Sequence, residues 1–343
     1  MNRFARFAVC AAVAAAFSFA ATSAGAATVV NGDFSAGLDG WNQAIFNESS
    51  GTWVAYTGTG PLPQSGRNVF PAYSGTSAVS DEYENSSSAL FQDVFLEPGM
   101  THELRYKHAW TNDASNWWVP DPMNLSLGNV FDNQQLRVDV LKPSADPRTT
   151  NPLDILATSF QTTYGMPSTS DWNDGPAADL SAFAGSTVRL RFVYVADESY
   201  LHHSIDNVEI VSKDVTPPVI ASLKMRSSVI KKGSRASIKF TADEPGKLSV
   251  RVARAARGSR VGGKCVARTK KNATRRACTK WRHVKLSTGI SFAAGPNVVA
   301  LPGSGKLAVG TYRVTVQFAD GSGNNAGTSK NLTFKVKPKK KKR

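Results

Sequence analysis

Cysteine is scarce in this chain, and its scarcity excludes a structural zinc site held by cysteines. Of three cysteines in 343 residues, Cys10 lies in an apolar leader, which leaves Cys265 and Cys278 with twelve residues between them. Two thiolates with His283 as the nearby imidazole give too few ligands for a structural zinc ion. In an oxidising compartment this pair predicts a disulfide. Closing so short a loop stabilises a fold by about 3 kcal/mol in the chain-entropy model.

Catalytic motifs are also missing. The sequence contains no H-E-x-x-H, no G-x-S-x-G and no glycine-rich phosphate loop. A glycosidase needs two positioned carboxylates, but nothing in the sequence selects a pair among 22 acids between positions 27 and 212. Neighbours on a strand face opposite sides, which makes joint action awkward for His202 and His203. We therefore expect no enzymatic activity, with a hydrolase of unrecognised site as an alternative. The other histidines considered as base or ligand are His102 and His108.

Long apolar runs are absent beyond the N-terminus. Arg3 and Arg6 precede an apolar stretch over residues 7–21, and small residues follow at 24–26. This pattern predicts a secretory signal peptide over residues 1–26. The alternative is a membrane anchor, but the run is shorter than the ~20 residues a spanning helix needs. Residues 301–305 resemble a wall-sorting pentapeptide, yet a strand-like alternation follows them, so we reject covalent wall sorting. We expect an extracellular or cell-surface protein that is not integral to the membrane after cleavage.

Each half of the chain is poor in charge of one sign. Residues 27–212 hold 8 Lys and Arg against 22 Asp and Glu, whereas residues 213–343 hold 31 against 4. The net charge changes from −14 to +27 at one point, which predicts a domain boundary. Pro217 and Pro218 favour a short extended linker, so we place the boundary near 213–216. The predicted parts are an acidic domain (27–212), a basic domain (213–337) and a basic disordered tail (338–343).

No segment shows the apolar stripe of a helix. Apolar and polar residues alternate instead, at 104–110, 136–140 and 188–194 in the acidic half and at 236–240, 248–252, 312–318 and 332–336 in the basic half. Period-two patterns separated by Gly, Pro, Asn and Ser clusters are typical of antiparallel sheets. The sequence therefore predicts an all-β protein with two β-sandwiches.

Five pieces of the acidic half occur in a recognisable order: 30–34 with Gly40-Trp41, 73–78, 90–94 with 97–99, 179–185 leading into 188–192, and 204–208. They resemble the galactose-binding-like jelly-rolls, a superfamily that includes many carbohydrate-binding modules. The resemblance covers about residues 28–212 and specifies fold better than ligand, because adhesive and protease-associated domains share it. It implies a jelly-roll with Trp41 in its core.

The resemblance also implies a structural Ca²⁺ where the first and last strands meet. The matching residues are Asn31, Asp33 and Asp206, whose oxygens are of the hard type that Ca²⁺ prefers. The alternative is that Asp206 caps a turn and Asp33 is solvated.

Glycan binding would need exposed aromatic rings for the apolar faces of sugars, with amides and carboxylates for the hydroxyls. One of two adjacent residues on an extended chain faces solvent, which draws attention to Trp117 and Trp118. The alternative is that most of the aromatics pack in the core. The predicted ligand-binding residues are Trp110, Asn112, Asp113, Asn116, Trp117, Trp118, Tyr73 and Tyr83.

The basic half resembles the immunoglobulin-like or fibronectin-III-like modules of secreted bacterial proteins, on its start at 216–220 and its turn at 320–324. The segment 261–280 is similar to a cysteine-clasped hairpin insert of such modules. Its charge suits polyanions of a cell envelope, held in a salt-sensitive way; the alternative is a surface that only aids solubility. We expect no sequence-specific nucleic-acid binding. The leading hypothesis is a polysaccharide-binding protein, and the runner-up is an adhesive or structural protein that binds other proteins.

Overall fold

The computed structural model describes residues 27–46, 51–82, 85–127, 132–169, 171–327 and 329–339, and only the backbone of residues 285–288. The predicted signal peptide, Tyr83 and residues 340–343 of the predicted tail lie outside this part. The chain divides into two compact units between Thr216 and Pro217. Strands dominate both units and the helices are short 3₁₀ turns, so the all-β sandwich prediction is confirmed. No helix in the described ranges is long and apolar enough to cross a membrane.

The first unit packs two sheets face to face. Sheet A has five strands in the order β1-β4-β10-β6-β7, and sheet B has the order β2-β3-β11-β5, with β8 and β9 both pairing with β5. All of these pairings are antiparallel. The strands are β1 Asn42–Ile45, β2 Gly51–Tyr56, β3 Ser77–Glu82, β4 Ser86–Phe95, β5 Met100–Asn112, β6 Gln134–Leu141, β7 Ile155–Gln161, β8 Asn173–Asp174, β9 Ala178–Asp179, β10 Thr187–Ala196 and β11 Leu201–Asp214.

Alternating residues of the two sheets meet in one apolar core. Phe192 of β10 makes T-shaped contacts with Trp41 and Tyr106, with ring centroids 5.9 and 5.5 Å apart. Trp41 also lies 5.4 Å from Phe34, so the loop before β1 closes one end of the core. Trp41 is buried, as the resemblance implied.

A buried ion triad holds the polar side of sheet A. Asp139 of β6 accepts hydrogen bonds from Arg137, two residues away on the same face, and from Arg191 of β10 directly opposite. The N–O distances are 2.8 and 2.6 Å, and all three side chains are buried. Arg191 also donates to the carbonyls of Pro147 and Thr149, which ties the loop after β6 over the triad.

The second unit also has two sheets. Sheet C has the order β12-β14-β18, and sheet D has the order β13-β20-β19-β15-β16, with β17 also pairing with β15. The pairing of β13 with β20 is parallel. The strands are β12 Ile220–Met225, β13 Val229–Lys231, β14 Ser237–Ala242, β15 Gly246–Val261, β16 Lys264–Ala267, β17 Ala277–Phe292, β18 Gly295–Ala300, β19 Gly310–Asp320 and β20 Lys330–Lys337.

The hairpin of β15 and β17 continues beyond the apolar core, and a disulfide braces the extension. The core takes in residues of β15 only as far as Val252, whereas the strand ends at Val261. Cys265 and Cys278 form the predicted disulfide, which joins β16 to β17 across Gly258 of β15. A Cβ on Gly258 would lie 2.8 Å from the Sγ of Cys265. Only glycine leaves room for this cross-link.

Replacing Asp139 by Asn should destabilise the protein by about 3–5 kcal/mol, because it leaves two buried guanidinium groups without a counter-charge. Urea unfolding measures the change. The matched control is Asp93→Asn, which breaks the more exposed pair with Arg189 and should cost less than about 1 kcal/mol. Burial alone raises the pKa of Asp139, but its bonds and charge contacts with the two arginines outweigh burial and lower it. This stabilisation is therefore present near neutral pH and is lost as the pH falls through the lowered pKa. Equal losses in the two variants would contradict the role of the triad.

Removing the disulfide in a Cys265→Ala, Cys278→Ala double variant should loosen the extended hairpin selectively. The bridge closes a loop of 13 residues, and its absence should cost about 3 kcal/mol. Limited trypsin digestion with mass spectrometry measures the effect, because residues 251–282 are rich in Lys and Arg. We expect faster cleavage there and unchanged cleavage at Arg67 and Arg105 of the first unit. Unchanged cleavage throughout would refute a bracing role.

Candidate functional site

Buried amides fix the loops at one end of sheet B. Gln134, fully buried at the start of β6, donates to Oδ1 of Asn112 and to the carbonyl of Ser199, both at 2.9 Å. Its Oε1 accepts from the backbone N–H groups of Asp197 and Glu198. One side chain thus joins the end of β5 to the connection between β10 and β11. Such satisfied buried networks give a loop a defined shape.

Glu198 organises the first part of the surface that these loops form. Its Oε1 accepts two hydrogen bonds from Ser115, from N–H and from Oγ, at 3.2 and 2.6 Å. Its Oε2 accepts from Nε1 of Trp118 at 3.0 Å. The Trp118 ring, 38 % exposed, meets the ring of Tyr164, 70 % exposed, at 5.4 Å in a T-shaped contact. The result is an aromatic pair on the surface with a carboxylate beside it.

An ion pair forms the second part of this surface. Arg67 contacts Asp113 at 3.1 Å, with both side chains nearly half exposed. The Arg67 guanidinium also lies 4.2 Å from the ring centroid of Tyr200, and the Tyr200 carbonyl accepts the backbone N–H of Asp113. A polar depression of about 390 Å³ opens here, lined by Gly66, Arg67, Asn68, Thr111, Asp113 and His202. We call the residues Arg67, Asp113, Ser115, Trp118, Tyr164, Glu198, Tyr200 and His202 the loop-end surface.

His202 contributes an uncharged imidazole to the wall of this depression. Burial lowers the pKa of His202, although its hydrogen bond to the Ser80 carbonyl acts in the opposite direction. Because Nδ1 lies 2.9 Å from that carbonyl, Nδ1 carries the proton and Nε2 is an acceptor. Nε2 has no partner among the described residues.

The other histidines of the first unit are buried in its interior. His108 makes a T-shaped contact with Phe160, and His203 makes a tilted contact with Trp53. Burial lowers the pKa of His108 to about 4 and that of His203 well below its usual value. His102 is held between Ser212 and the carbonyl of Glu97. These three rings are buried and none lies at the loop-end surface.

Two predicted ligand-binding tryptophans are corrected by their burial. Trp117 is 1 % exposed and donates to the carbonyl of Met166; Trp110 is 8 % exposed and donates to that of Pro167. A ring enclosed by core atoms offers no face to a sugar. Asn112 and Asn116 serve as loop braces, since the Oδ1 of Asn116 accepts from Trp117 and Gly165. Among the predicted residues that the structure describes, Asp113 and Trp118 alone lie in the loop-end surface.

Tyr73 belongs to a second aromatic group. Its ring lies 5.8 Å from that of Trp172 and 5.0 Å from the Lys107 ammonium, which pairs with Asp174 at 2.7 Å.

Sequence reasoning did not find Arg67, Glu198 and Tyr200. Arg67 lies far along the chain from Glu198 and Tyr200, and a single polar residue in a loop carries no periodic signal.

The residues predicted to hold Ca²⁺ lie where the loop before β1 meets β11. Asp206 is buried, and its two carboxylate oxygens accept the N–H groups of Ser74 and Asn207. Asp33 is exposed and accepts two hydrogen bonds from Ser35. The Asn31 side chain donates to the carbonyls of Gly37 and Asp39 and accepts from the N–H of Ala36. Each predicted ligand is thus already hydrogen-bonded, and Ca²⁺ at this place stays a prediction.

Asp206 gives this prediction a measurable signature. Burial, together with the charge of nearby Asp33, raises its pKa to about 6, although two backbone hydrogen bonds act in the opposite direction. A raised pKa means that the protonated form stabilises the fold, fully below the usual pKa of 3.8 and no longer once the pH has risen past about 6. In EDTA, the unfolding midpoint should therefore fall as the pH rises from about 4 to about 6, and this fall should shrink in Asp206→Asn. Added Ca²⁺ should restore the parent at pH 7 and leave the variant unchanged. An identical pH profile in both proteins would contradict the role of Asp206, and no response to Ca²⁺ would refute the ion.

Comparisons with known proteins give structural likenesses alone. No family model and no curated protein matches the chain. Among solved structures, the K3 cleaved adhesin domain of Lys-gingipain from Porphyromonas gingivalis is 15 % identical, with a TM-score of 0.32, over 54 % of this chain and 98 % of that one. The adhesin domain of Epf from Streptococcus pyogenes is 11 % identical, with a TM-score of 0.31, over 92 % and 98 %.

The enzymatically active domain of a bacteriophage tailspike protein is 14 % identical, with a TM-score of 0.33. The alignment covers 54 % of this chain and only 21 % of that domain. Likeness at this level says nothing about ligand or activity, so the site has to be interpreted from its own residues.

Proposed function

We propose that this chain is a secreted or cell-surface, non-catalytic protein that binds carbohydrate at the loop-end surface of its first unit. The observation that carries the proposal is the exposed pair of Trp118 and Tyr164 beside the Glu198 carboxylate. An exposed ring packs against the apolar face of a sugar at low conformational cost, and a fixed carboxylate accepts from its hydroxyls.

The adjoining polar depression supports the same proposal. Arg67 and Asp113 offer donors and acceptors at its rim. The buried amides behind the loops reduce the conformational entropy that binding would otherwise cost. The unit that carries the loop-end surface is acidic and repels anions. This surface therefore suits a ligand that is rich in hydroxyls and has no net charge.

The basic second unit would keep the protein close to anionic polymers of a cell envelope. Its excess of cations has few carboxylates of its own to pair with. Such attraction weakens as salt screens it. The two units would therefore bind different ligands on the same cell surface.

Trp118→Ala should weaken glycan binding at least tenfold, the size of loss expected for an aromatic side chain central to a binding surface. A glycan microarray with the whole secreted chain first identifies a ligand, and titration calorimetry then compares variants. Trp118→Phe should retain most of the affinity, because a ring remains. The matched control is Phe95→Ala, which removes a comparably exposed ring from sheet A and should change nothing. Unchanged binding in Trp118→Ala would refute the site, and binding to protein partners but to no glycan would favour the adhesive alternative.

A further inference from the structure

Sheet D of the second unit has one apolar and one polar face. Val250, Val252 and Val314 point into the core, so the residues between them on the same strands point outward. The register places Arg251 opposite Thr315, and Ala253 opposite both Arg313 of β19 and His283 of β17. Six of the outward residues that carry a charge or a ring form what we call the basic face: Arg251, Arg257, Trp281, His283, Arg313 and Lys335.

An aromatic ring lies at the middle of this face. The guanidinium of Arg313 lies 4.7 Å from the ring centroid of Trp281, a cation–π contact that fixes both side chains. Ala253 and Ala255 occupy the strand between β19 and β17. Ala253 is buried and Ala255 is partly exposed, and Trp281, which lies opposite Ala255, is partly open to solvent.

The cations of this face have no acidic neighbours on their own strands. The sequence contains no Asp or Glu between Glu244 and Asp320, and none in β20. Asp320, the last residue of β19, is buried and bonded to Asn324. Arg251, Arg257 and Lys335 are exposed. The strands of this face therefore supply few counter-charges of their own.

Around the ring, the outward neighbours are hydroxyl and amide side chains. Thr315 donates to Asn331 on the next strand, and Thr333 lies opposite Arg313. Platforms for single-stranded nucleic acid use several stacked aromatic side chains along the strand, whereas this face presents one. A single ring set among cations, hydroxyls and amides fits a polymer of sugars that carry acid groups.

We propose that the basic face is a binding site for an acidic polysaccharide, with a sugar ring packed on Trp281 and its acid groups paired with Arg251, Arg313 and Lys335. The occupant is a carboxylated or sulfated glycan chain. This site is separate from the loop-end surface, and it refines the proposal that the basic unit binds anionic polymers.

The test uses the whole secreted chain and immobilised polygalacturonate, a polymer of carboxylated sugars, measured by biolayer interferometry over a range of salt concentrations. Arg251→Gln combined with Arg313→Gln should weaken binding at least tenfold and flatten its salt dependence. The control removes the same charge from sheet C, where Lys224 and Lys239 are exposed and lie opposite each other on neighbouring strands. Lys224→Gln combined with Lys239→Gln should weaken binding less than about threefold.

Ring stacking is tested separately with Trp281→Ala. It should weaken polygalacturonate binding about three- to tenfold and leave inorganic polyphosphate, which has no rings, unaffected; Trp281→Phe should behave as the parent does. Circular dichroism confirms that the variants stay folded. Equal losses from the two double variants, or no effect of Trp281→Ala, would overturn the proposal. Tighter binding of a single-stranded oligonucleotide than of polygalacturonate would also overturn it. Loss of neutral-glycan binding on Trp118→Ala is a separate result that concerns only the first unit.

Discussion

Both units depend on one constraint, that successive side chains of a β-strand point to opposite faces. Each strand can give one face to the core and keep the other for a different purpose. In β15 the inward valines bury apolar surface while the outward positions carry arginine and alanine. In β6 the inward valines join the core, and the outward positions hold the Arg137–Asp139 pair. What lies on the outward face can vary without disturbing the fold beneath it.

The first unit covers part of its outward faces, and this covering shapes its surface. A loop encloses the charged triad on sheet A, so the charges become buried and mutually dependent. At the end of sheet B, the buried Gln134 and the half-buried Asn116 reach to the backbone of loops that are not neighbours in sequence. Loops held by several such bonds keep their exposed side chains in place, which is why Trp118 and Glu198 can act together.

The sequence predicts the fold well because periodicity is a property of each segment by itself. The alternation at residues 188–194 and 312–318 identifies strands without knowledge of their partners. The disulfide was predictable for a similar reason, since two cysteines leave one pairing. Exposure of a particular ring is different: Trp117 and Trp118 have the same local sequence, and only the carbonyl of Met166 and the core behind it decide which one is buried. Arg67 and Glu198 were beyond prediction because their partners, Asp113 and Ser115, are 46 and 83 residues away in the chain.

The division of charge gives the two surfaces different ligand preferences. Residues 27–212 hold 22 acids against 8 Lys and Arg, and this excess of negative charge repels polyanions. A neutral ligand bound at the loop-end surface avoids this repulsion. The second unit has the opposite excess, and its few acids cannot offset it. An acidic polymer would therefore be drawn to the basic face and kept from the loop-end surface by the same electrostatics. In the proposed binding, long-range charge would select which polymer approaches each unit, and the rings of Trp118 and Trp281 would add the short-range contact with the sugar.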